Sequence, residues 1–308
     1  MNSSLAFVFP GQGSQQLGML SDLAEKYDII KATFDEASQV LGYDLWDLVQ
    51  NDAESLNQTD KTQPALLTSS VALWRLWEQQ GGDQPAYVAG HSLGEYSALV
   101  CAGVIEFADA VELVKLRGEY MQQSVPAGAG AMAAIIGLSD EQVVAACEAV
   151  SEGVVSAVNF NSPGQVVIAG ETAAVEVAMA NAKEAGAKRA LPLPVSVPSH
   201  CKLMVPAGEK LAERLNAIEF KEPAIKLVQN VTAQAVSDAA QIKSNLVSQL
   251  SEPVLWTQSI ALLNELGVEK TVECGPGKVL TGLNKRIVKG LGAVAIGDVA
   301  GFEAAAGI

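Results

Sequence analysis

The 308-residue sequence is short of basic residues and contains only two histidines and four cysteines. Its 20 lysines and arginines against 35 aspartates and glutamates give a net charge of −15. A nucleic-acid backbone is bound by a basic face, so we expect no nucleic-acid partner. No run of about 18 apolar residues occurs, and we therefore expect no membrane-spanning segment. The opening MNSSLAFVFPGQG lacks a basic region and a long apolar core, so we expect no secretory signal.

The cysteines are scattered and form no C-x-x-C pair; they are Cys101, Cys147, Cys201 and Cys274. In a chain of this length they are typical of reduced thiols, which favours a cytoplasmic protein. Hydrophobic residues make up 49% of the chain, enough to bury a full core. The length allows one large domain or a core with a smaller inserted one.

Strand and helix patterns alternate in the first part of the chain. Short apolar segments at 5–11 and 85–90 end in glycine, as buried parallel strands often do. Amphipathic patterns predict helices over 21–42 and 62–82, and a third helix from Phe107. This alternation predicts a parallel α/β sheet.

A glycine- and alanine-rich stretch then leads into a compact series with the ferredoxin-like order βαββαβ. Its predicted elements are strand 131–137, helix 139–152, strand 154–159, strand 165–169, helix 171–185 and strand 188–195. Predicted helices and strands of the larger layer follow: helix 202–217, strand 224–230, helix 239–249, helix 256–266, strand 270–273 and helix 278–289.

We therefore predict an α/β fold in two parts. Residues 1–126 and 199–308 form a large α/β-hydrolase-like subdomain with a parallel sheet, and residues 127–198 form the inserted ferredoxin-like subdomain. The proline-rich stretch 191–200 connects the small part back to the large one. We expect the C-terminal tail FEAAAGI to be loosely held.

The stretch GHSLG matches the G-x-S-x-G motif, with an apolar strand before it and a helix-like segment after it. Such a motif places Ser92 on a tight turn, where Gly90 and Gly94 allow close approach of neighbouring backbone. The helix that follows directs free N–H groups toward the serine, where they stabilise an oxyanion. The alternative is an ordinary strand-to-helix turn with a capping serine.

A serine nucleophile needs a base, and His91 and His200 are the only histidines. His91 is adjacent to Ser92, and adjacent side chains diverge on a sharp turn. His200 is therefore the predicted general base, and then the general acid for the leaving thiol. Several carboxylates lie between Ser92 and His200, but none follows a convincing core strand. The group that orients the imidazole is either one of these or a backbone carbonyl.

Three further residues are candidates for the site. Gln12 lies between two glycines at the end of the first strand, where it either contributes to an oxyanion hole or belongs to a simple turn. Arg117 lies in a predicted helix, and helical arginines are usually solvated. Asn161 precedes a Ser-Pro-Gly turn that either lines a cleft or only connects two strands.

Several motifs in this order resemble those of the malonyl-CoA:acyl carrier protein transacylases and related acyltransferase domains. They are FPGQGSQ (9–15), GHSLGEYSAL (90–99), Arg117 in its helix, NSPGQVVIAG (161–170), PVSVPSH (194–200), QNVTA (229–233) and ECGPGKVLTGL (273–283). The resemblance covers essentially the whole chain.

The resemblance implies a ping-pong transfer of malonyl from malonyl-CoA, through an ester on Ser92, to the phosphopantetheine thiol of acyl carrier protein. It implies that a main-chain carbonyl orients His200, which corresponds to Gln249 here, and that Gln12 and the Leu93 N–H form the oxyanion hole. It also assigns the malonyl carboxylate to Arg117, against the expectation of a solvated arginine. We place His91 and Asn161 among the substrate-binding residues.

The resemblance further implies a monomer that holds no metal and no permanent cofactor. Because acyl carrier proteins are acidic, we expect them to dock on a locally basic surface. The candidate residues are Lys188, Arg189, Lys278, Lys285, Arg286 and Lys289. Two other functions stay open from the sequence: a hydrolase such as a thioesterase, and a non-catalytic module that binds a carrier protein.

Overall fold

The computed structural model describes residues 1–195 and 197–307, and it contains two β-sheets surrounded by helices. In chain order the strands are β1 (Asn2–Phe9), β2 (Pro85–Gly90), β3 (Gly130–Ile136), β4 (Val155–Ser162), β5 (Gln165–Glu171), β6 (Arg189–Pro192), β7 (Lys226–Gln229), β8 (Gln234–Val236), β9 (Lys270–Glu273) and β10 (Gly292–Ala295).

The helices connect these strands and cover both faces of the larger sheet. In chain order they are α1 (Ser21–Lys26), α2 (Asp28–Leu41), α3 (Leu45–Asn51), α4 (Ala53–Leu56), α5 (Thr59–Gln79), α6 (Gly94–Cys101), α7 (Phe107–Ser124), α8 (Asp140–Glu148), α9 (Thr172–Glu184), α10 (Val205–Ala217), α11 (Ala239–Gln249), α12 (Trp256–Glu265), α13 (Val279–Ile287) and α14 (Val299–Ala306).

The large sheet has the strand order β10-β9-β1-β2-β7-β8. All neighbouring pairs are parallel except β7 and β8, which form an antiparallel edge. The carboxyl ends of β1, β2 and β7 therefore meet at one edge of the sheet, which is where α/β proteins bind their ligands. The residues just beyond these three strands build the site described below.

Alternating side chains of β1 supply two cores, one on each face of the large sheet. Phe7 and Phe9 face a core under α2, α5 and α7, and the Phe7 ring meets Trp74 edge-on at 5.2 Å. Ala6 and Val8 face the opposite core around Trp256. This period of two explains why residues 5–9 of β1 are all apolar: a central parallel strand is buried on both faces.

The small sheet has the order β4-β5-β3-β6, and all its neighbouring strands are antiparallel. Helices α8 and α9 pack on one face of it. The other face, which includes Met132 and Val167, packs against Cys201. The predicted βαββαβ series is confirmed, and so is the mixed α/β fold class with a parallel sheet. One residue of the predicted proline-rich connection, Ser196, lies outside the described residues.

Element boundaries differ from the sequence prediction at several places. The single helix predicted over 21–42 is two helices, because Tyr27 between them is extended with φ −133°. The last strand of the small sheet ends at Pro192 rather than at 195. Prolines at 192 and 194 have no N–H for a ladder, which explains the early end. Strands β8 and β10 and helices α3 and α4 were not predicted.

The prediction of a loosely held C-terminal tail is wrong for the part that the structure describes. Residues Val299–Ala306 form α14, which begins at Asp298, whose carboxylate accepts from the Gly301 N–H at 2.7 Å. Phe302 is fully buried and packs against the rings of Tyr27 and Trp77. Burial of this one aromatic side chain holds the segment in place.

The described residues contain no helix long and apolar enough to cross a bilayer. All four cysteines are free and buried. Cys201, which follows the predicted base, is only 1% exposed, and burial raises the pKa of its thiol to about 11. A buried thiol with a raised pKa is unreactive, so Cys201 serves packing.

Candidate active site

Ser92 lies on the turn between β2 and α6 with a positive φ of 52°. A Cβ at Gly90 would lie 1.9 Å from the carbonyl carbon of Gly94, and a Cβ at Gly94 would lie 2.0 Å from the carbonyl oxygen of Phe9. Only glycine fits at either position, because real Cβ atoms never come so close to backbone. Residues 90–94, here called the elbow, lie between a strand and a helix, which is the context that GHSLG predicts.

Ser92, His200 and Gln249 form one hydrogen-bonded series. The Ser92 Oγ lies 2.8 Å from His200 Nε2, and His200 Nδ1 lies 2.6 Å from the backbone oxygen of Gln249. A carbonyl oxygen only accepts, so Nδ1 carries the imidazole proton and the lone pair of Nε2 faces the serine hydroxyl. The structure thus brings together three residues that are far apart in the chain, in a geometry suited to proton transfer.

The His200 imidazole is buried, with 3% of the residue exposed. Burial lowers the pKa of His200 to about 3, the Arg117 guanidinium and His91 also lower it, and the bond to the Gln249 carbonyl acts in the opposite direction. The ring is therefore neutral near pH 7, as a general base must be before the reaction.

Arg117 is 1% exposed, so the expectation of a solvated arginine from its helical context is wrong. Its Nη2 donates to Ser92 Oγ at 3.2 Å and to Gln249 Oε1 at 3.0 Å, and its Nη1 donates to Gln63 Oε1 at 2.7 Å. Its Nε has no partner in the part of the chain that the structure describes. Burial lowers the pKa of Arg117, but a guanidinium stays charged. A buried cation whose protein partners are neutral attracts an anionic ligand group.

The Leu93 N–H has no hydrogen-bond acceptor among residues 1–195 and 197–307. It stands at the start of α6, beside Ser92, where an oxyanion would gain a hydrogen bond and the favourable end of the helix dipole. Gln12 follows β1 and lines the same cavity as Ser92. Its Nε2 contacts Thr59 Oγ1 at 3.4 Å, a weak bond that leaves the amide free to turn toward a ligand.

His91 and Asn161 form a hydrogen-bonded pair beside Ser92. The His91 Nε2 lies 2.8 Å from Asn161 Oδ1, and the His91 ring is tilted against Trp256 at 5.5 Å. Since an amide oxygen accepts, Nε2 of His91 carries a proton and donates it to Asn161. Burial lowers the pKa of His91, so this ring is also neutral. The structure places His91 in the wall of the cavity, with Asn161 behind it.

A cavity of about 110 Å³ opens over Ser92. Its walls come from both sheets: they include Gln12, His91, Leu93, Arg117, Met121 and His200 from the large part, and Met132, Asn159, Leu193, Val195 and Val197 from the segment 127–198. Arg117 is the cationic side chain in this otherwise neutral lining. The arrangement fits a small acyl group that carries a negative charge.

Three polar residues that contact the site were not singled out by the sequence reasoning: Gln63, Glu95 and Asn230. Asn230 follows β7 directly, at the carboxyl edge of the sheet, and that position is a signal the sequence contains. Glu95 is part of the motif GHSLGE, but nothing in the motif indicates burial of its carboxyl group. Gln63 lies inside α5 and gives no signal.

The comparisons with known proteins agree with this geometry. The acyl transferase domain family matches residues 6–301 of the chain. The malonyl CoA-acyl carrier protein transacylase of Salmonella typhimurium is 61% identical over 305 residues, which cover 98% of this chain and 99% of that protein. The protein of the same name from Bacillus subtilis is 46% identical over 306 residues, 98% of this chain and 96% of that one.

Two solved structures resemble the whole chain. The crystal structure of an acyl carrier protein S-malonyltransferase from Vibrio cholerae is 62% identical, with a TM-score of 0.96 and coverage of 98% of this chain and 99% of that one. A malonyl-transacylase in complex with a type II PKS acyl-carrier protein is 57% identical, with a TM-score of 0.98 and coverage of 99% of both chains. By sequence and by fold, the chain belongs to the acyl transferase domain family, among the malonyl CoA-acyl carrier protein transacylases.

Proposed function

We propose that the protein transfers a malonyl group from malonyl-CoA to the phosphopantetheine thiol of acyl carrier protein, through a malonyl ester on Ser92, for fatty acid biosynthesis. The observation that carries the proposal is the position of Ser92 Oγ, 2.8 Å from the neutral His200 imidazole and 3.2 Å from the buried Arg117 guanidinium. A base and a carboxylate-binding cation thus meet at one nucleophile.

In the first half-reaction Ser92 Oγ attacks the thioester carbonyl, and its proton passes to His200 Nε2. The Leu93 N–H and the Gln12 amide donate to the oxyanion of the tetrahedral intermediate. When the C–S bond breaks, the imidazolium returns the proton to the leaving thiolate, and free coenzyme A departs. Gln249 holds the imidazole in the required orientation throughout, because its carbonyl accepts the Nδ1 proton.

The second half-reaction runs the same steps in reverse order with a different thiol. His200 takes the proton of the phosphopantetheine thiol, and the thiolate attacks the ester carbonyl of malonyl-Ser92. The C–O bond to Ser92 breaks, and the imidazolium protonates the serine oxygen. The same base and the same oxyanion donors serve both steps, as microscopic reversibility requires for two similar acyl transfers.

Arg117 selects the acyl group in this proposal. A planar guanidinium binds a carboxylate through two parallel hydrogen bonds, and burial strengthens them. Acetyl has no carboxylate, so it leaves the buried cation without its partner. His91 belongs to the cavity wall beside Ser92, and Asn161 acts on the substrate site through its hydrogen bond to the His91 ring.

The substrates follow from the relatives. Relatives up to 61% identical over almost the full chain are named malonyl CoA-acyl carrier protein transacylases, and one 57% identical structure contains an acyl-carrier protein. Malonyl-CoA acts as donor and acyl carrier protein as acceptor. The proposed steps use only side chains and main-chain groups of this chain besides the two substrates. The proposed catalytic cycle therefore needs no permanently bound cofactor and no metal.

We further propose that residues 1–126 and 199–308 form one subdomain, residues 127–198 form the other, and the substrate lies between them. Residues of both parts line the cavity over Ser92, which supports this division. A single chain supplies every residue of the site, which favours a functional monomer. Four free thiols favour the reducing cytoplasm.

The proposal predicts that radiolabelled malonyl-CoA transfers label to the wild-type protein, in a form stable to acid and released by hydroxylamine, as an oxygen ester is. Ser92→Ala takes up no label. A matched control is Ser97→Ala, which removes a buried hydroxyl from α6, the helix that follows the turn at Ser92, and retains labelling. Equal labelling of Ser92→Ala would show that the nucleophile is wrong.

The labelled protein also separates transfer from hydrolysis. For a transferase, the label persists in buffer and leaves rapidly when holo acyl carrier protein is added. For a thioesterase, water releases the label at a rate that the carrier protein does not change. A non-catalytic binding module takes up no label.

A further inference from the structure

A fully enclosed carboxyl group lies directly behind the nucleophile. Glu95, in the first turn of α6, is 1% exposed and has no ion pair within the described residues. It does not line the cavity over Ser92 and takes no part in the reaction proposed above. Burial of a carboxyl group costs free energy of folding unless hydrogen bonds compensate for the lost water. The hydrogen-bond partners of Glu95 therefore indicate what this carboxyl group does.

Both oxygens of Glu95 accept hydrogen bonds from distant parts of the chain. Oε1 accepts from the backbone N–H of Asn230 at 2.7 Å, and Oε2 accepts from the side-chain Nε2 of Gln249. The Glu95 carboxyl group therefore connects α6 to the residue that follows β7 and to the last residue of α11.

The Gln249 amide that Glu95 holds has a defined direction. Its Nε2 also donates to the backbone oxygen of Ser92 at 3.0 Å, and its Oε1 accepts from Arg117 Nη2 at 3.0 Å. A half-turn of the amide would put its NH₂ against the guanidinium and its oxygen against the acceptors at Glu95 and Ser92. The Glu95 and Ser92 oxygens need an NH₂ group beside them, and the Arg117 guanidinium needs an oxygen. These neighbours therefore permit only one orientation of the Gln249 amide.

Asn230, the other partner, spans the elbow. Its Oδ1 accepts from the Ser92 N–H at 2.7 Å, and its Nδ2 donates to the Gly90 oxygen at 2.6 Å. Because the Ser92 N–H is engaged by Asn230, that group is not available to an oxyanion, which leaves Leu93 as the backbone donor. Glu95 thus holds the two residues that between them contact Ser92, Arg117 and His200.

We propose that Glu95 is a positioning residue for acyl-group selection: its carboxyl oxygens set the direction of the Gln249 amide, and that amide holds Arg117 beside the nucleophile. The inference rests on the proposed function. It concerns this chain's internal bonds, since Glu95 touches neither substrate nor the reacting atoms.

The test replaces Glu95 by Gln, which keeps the shape and turns one acceptor into a donor. The new NH₂ group at position 95 then faces either the Asn230 N–H or the Gln249 NH₂. Two donors face each other at that contact, so its hydrogen bond is lost. We expect the ratio of kcat/KM for malonyl-CoA to kcat/KM for acetyl-CoA, measured by Ser92 labelling, to fall at least about tenfold in E95Q, because the guanidinium loses its fixed position.

Glu273→Gln is the matched control. Glu273 is also a fully buried glutamate that accepts N–H bonds, from Leu280 at 3.0 Å and Thr281 at 2.7 Å, but it is the last residue of β9 and its carboxylate binds the first turn of α13, not the turn at Ser92. E273Q is expected to lower the melting temperature and to leave the malonyl-to-acetyl ratio unchanged. An equal fall of both kcat/KM values in E95Q would indicate a merely structural role and overturn the proposal.

A double-mutant cycle tests the route through Gln249. Gln249→Met keeps the carbonyl that binds His200 and removes the amide, so it is expected to lower the ratio as E95Q does. If Glu95 acts through that amide, the E95Q/Q249M protein has the ratio of Q249M alone. Additive effects of the two changes would contradict the proposal.

The cycle also covers the case in which E95Q does not fold. Q249M alone then decides, since an unchanged ratio in Q249M means that the amide does not hold Arg117 and the inference is wrong. Failure of the proposed function has a different signature, namely absence of labelling in the wild-type protein.

Discussion

His200 Nδ1 donates to the backbone oxygen of Gln249 across 2.6 Å, in the position where many serine enzymes have a carboxylate. A neutral carbonyl orients the imidazole as well as a carboxylate does, but it stabilises the imidazolium less. Arg117 adds a positive charge beside the ring and disfavours the imidazolium further. In the proposed mechanism, the proton that His200 takes from Ser92 is therefore held weakly and is readily returned to the departing thiolate.

Replacement of Arg117 by Ala removes the cation at the nucleophile. We expect kcat/KM for malonyl-CoA to fall at least about 100-fold, the cost of an unmade charge-assisted hydrogen-bonded pair. Acetyl transfer is expected to improve, because the pocket no longer holds an unpaired charge. Burst kinetics with each coenzyme A ester measure both values. A uniform fall for the two donors would argue against the carboxylate contact, and the half-buried Arg214, which pairs with Glu112 and is changed to Ala, is the control.

The pH dependence of acylation follows from His200. Because burial, with help from Arg117, lowers the pKa of His200 to about 3, the base stays neutral through mildly acidic pH. We expect kcat/KM for malonyl-CoA to be level down to about pH 4, where the imidazole begins to take up a proton. In Arg117→Ala the repelling charge is gone, the pKa of His200 rises, and the acid limb moves to higher pH. Circular dichroism at each pH excludes unfolding, and an unmoved limb would contradict this account.

Asn230→Ala leaves the Ser92 N–H and the Gly90 oxygen without their partner inside the elbow. We expect the free energy of unfolding to fall by about 2 kcal/mol or more, since buried unsatisfied groups cost about 1–3 kcal/mol each. We also expect kcat to fall about tenfold or more, because the strained Ser92 is no longer held in place. Denaturant titration and labelling rates measure the two effects.

Asn245→Ala is the control for that change. Asn245 is also buried and donates to Gln229 Oε1 at 2.7 Å, but it does not contact the elbow. It is expected to lose stability without loss of kcat. If both variants lose kcat equally, Asn230 has no special role.

The basic docking surface makes a separate prediction. Lys188, Arg189, Lys278, Lys285, Arg286 and Lys289 are all exposed, as a docking role requires. Reversal of Lys285 and Arg286 to Glu is expected to raise the KM for acyl carrier protein several-fold and to leave acylation by malonyl-CoA unchanged. Lys31→Glu, on the exposed face of α2, controls for the change in net charge. Unchanged KM in the double variant would refute the surface.

The sequence alone was sufficient to predict the tight turn at Ser92 and the placement of His200 beside its hydroxyl. Glycines at 90 and 94 around Ser92 are a local signal, because the steric need for them arises within five residues and their immediate neighbours. His200 followed from elimination, since the chain has two histidines and the other is adjacent to the nucleophile. The βαββαβ series was also predictable, because strand and helix periodicities are local properties.

The remaining features depend on contacts between distant residues. Three contacts of the site join residues more than 20 positions apart, and no local pattern indicates them. They are the contacts of Arg117 with Ser92, of the Gln249 carbonyl with His200, and of Glu95 with the Gln249 amide. The C-terminal helix shows the same limit, because a single ring, Phe302, holds it against residues far away in the chain. The sequence by itself determined which groups stand at the nucleophilic turn, since backbone sterics act locally. Only the tertiary structure decided which buried polar groups pair, since that depends on which strand and helix ends the fold brings together.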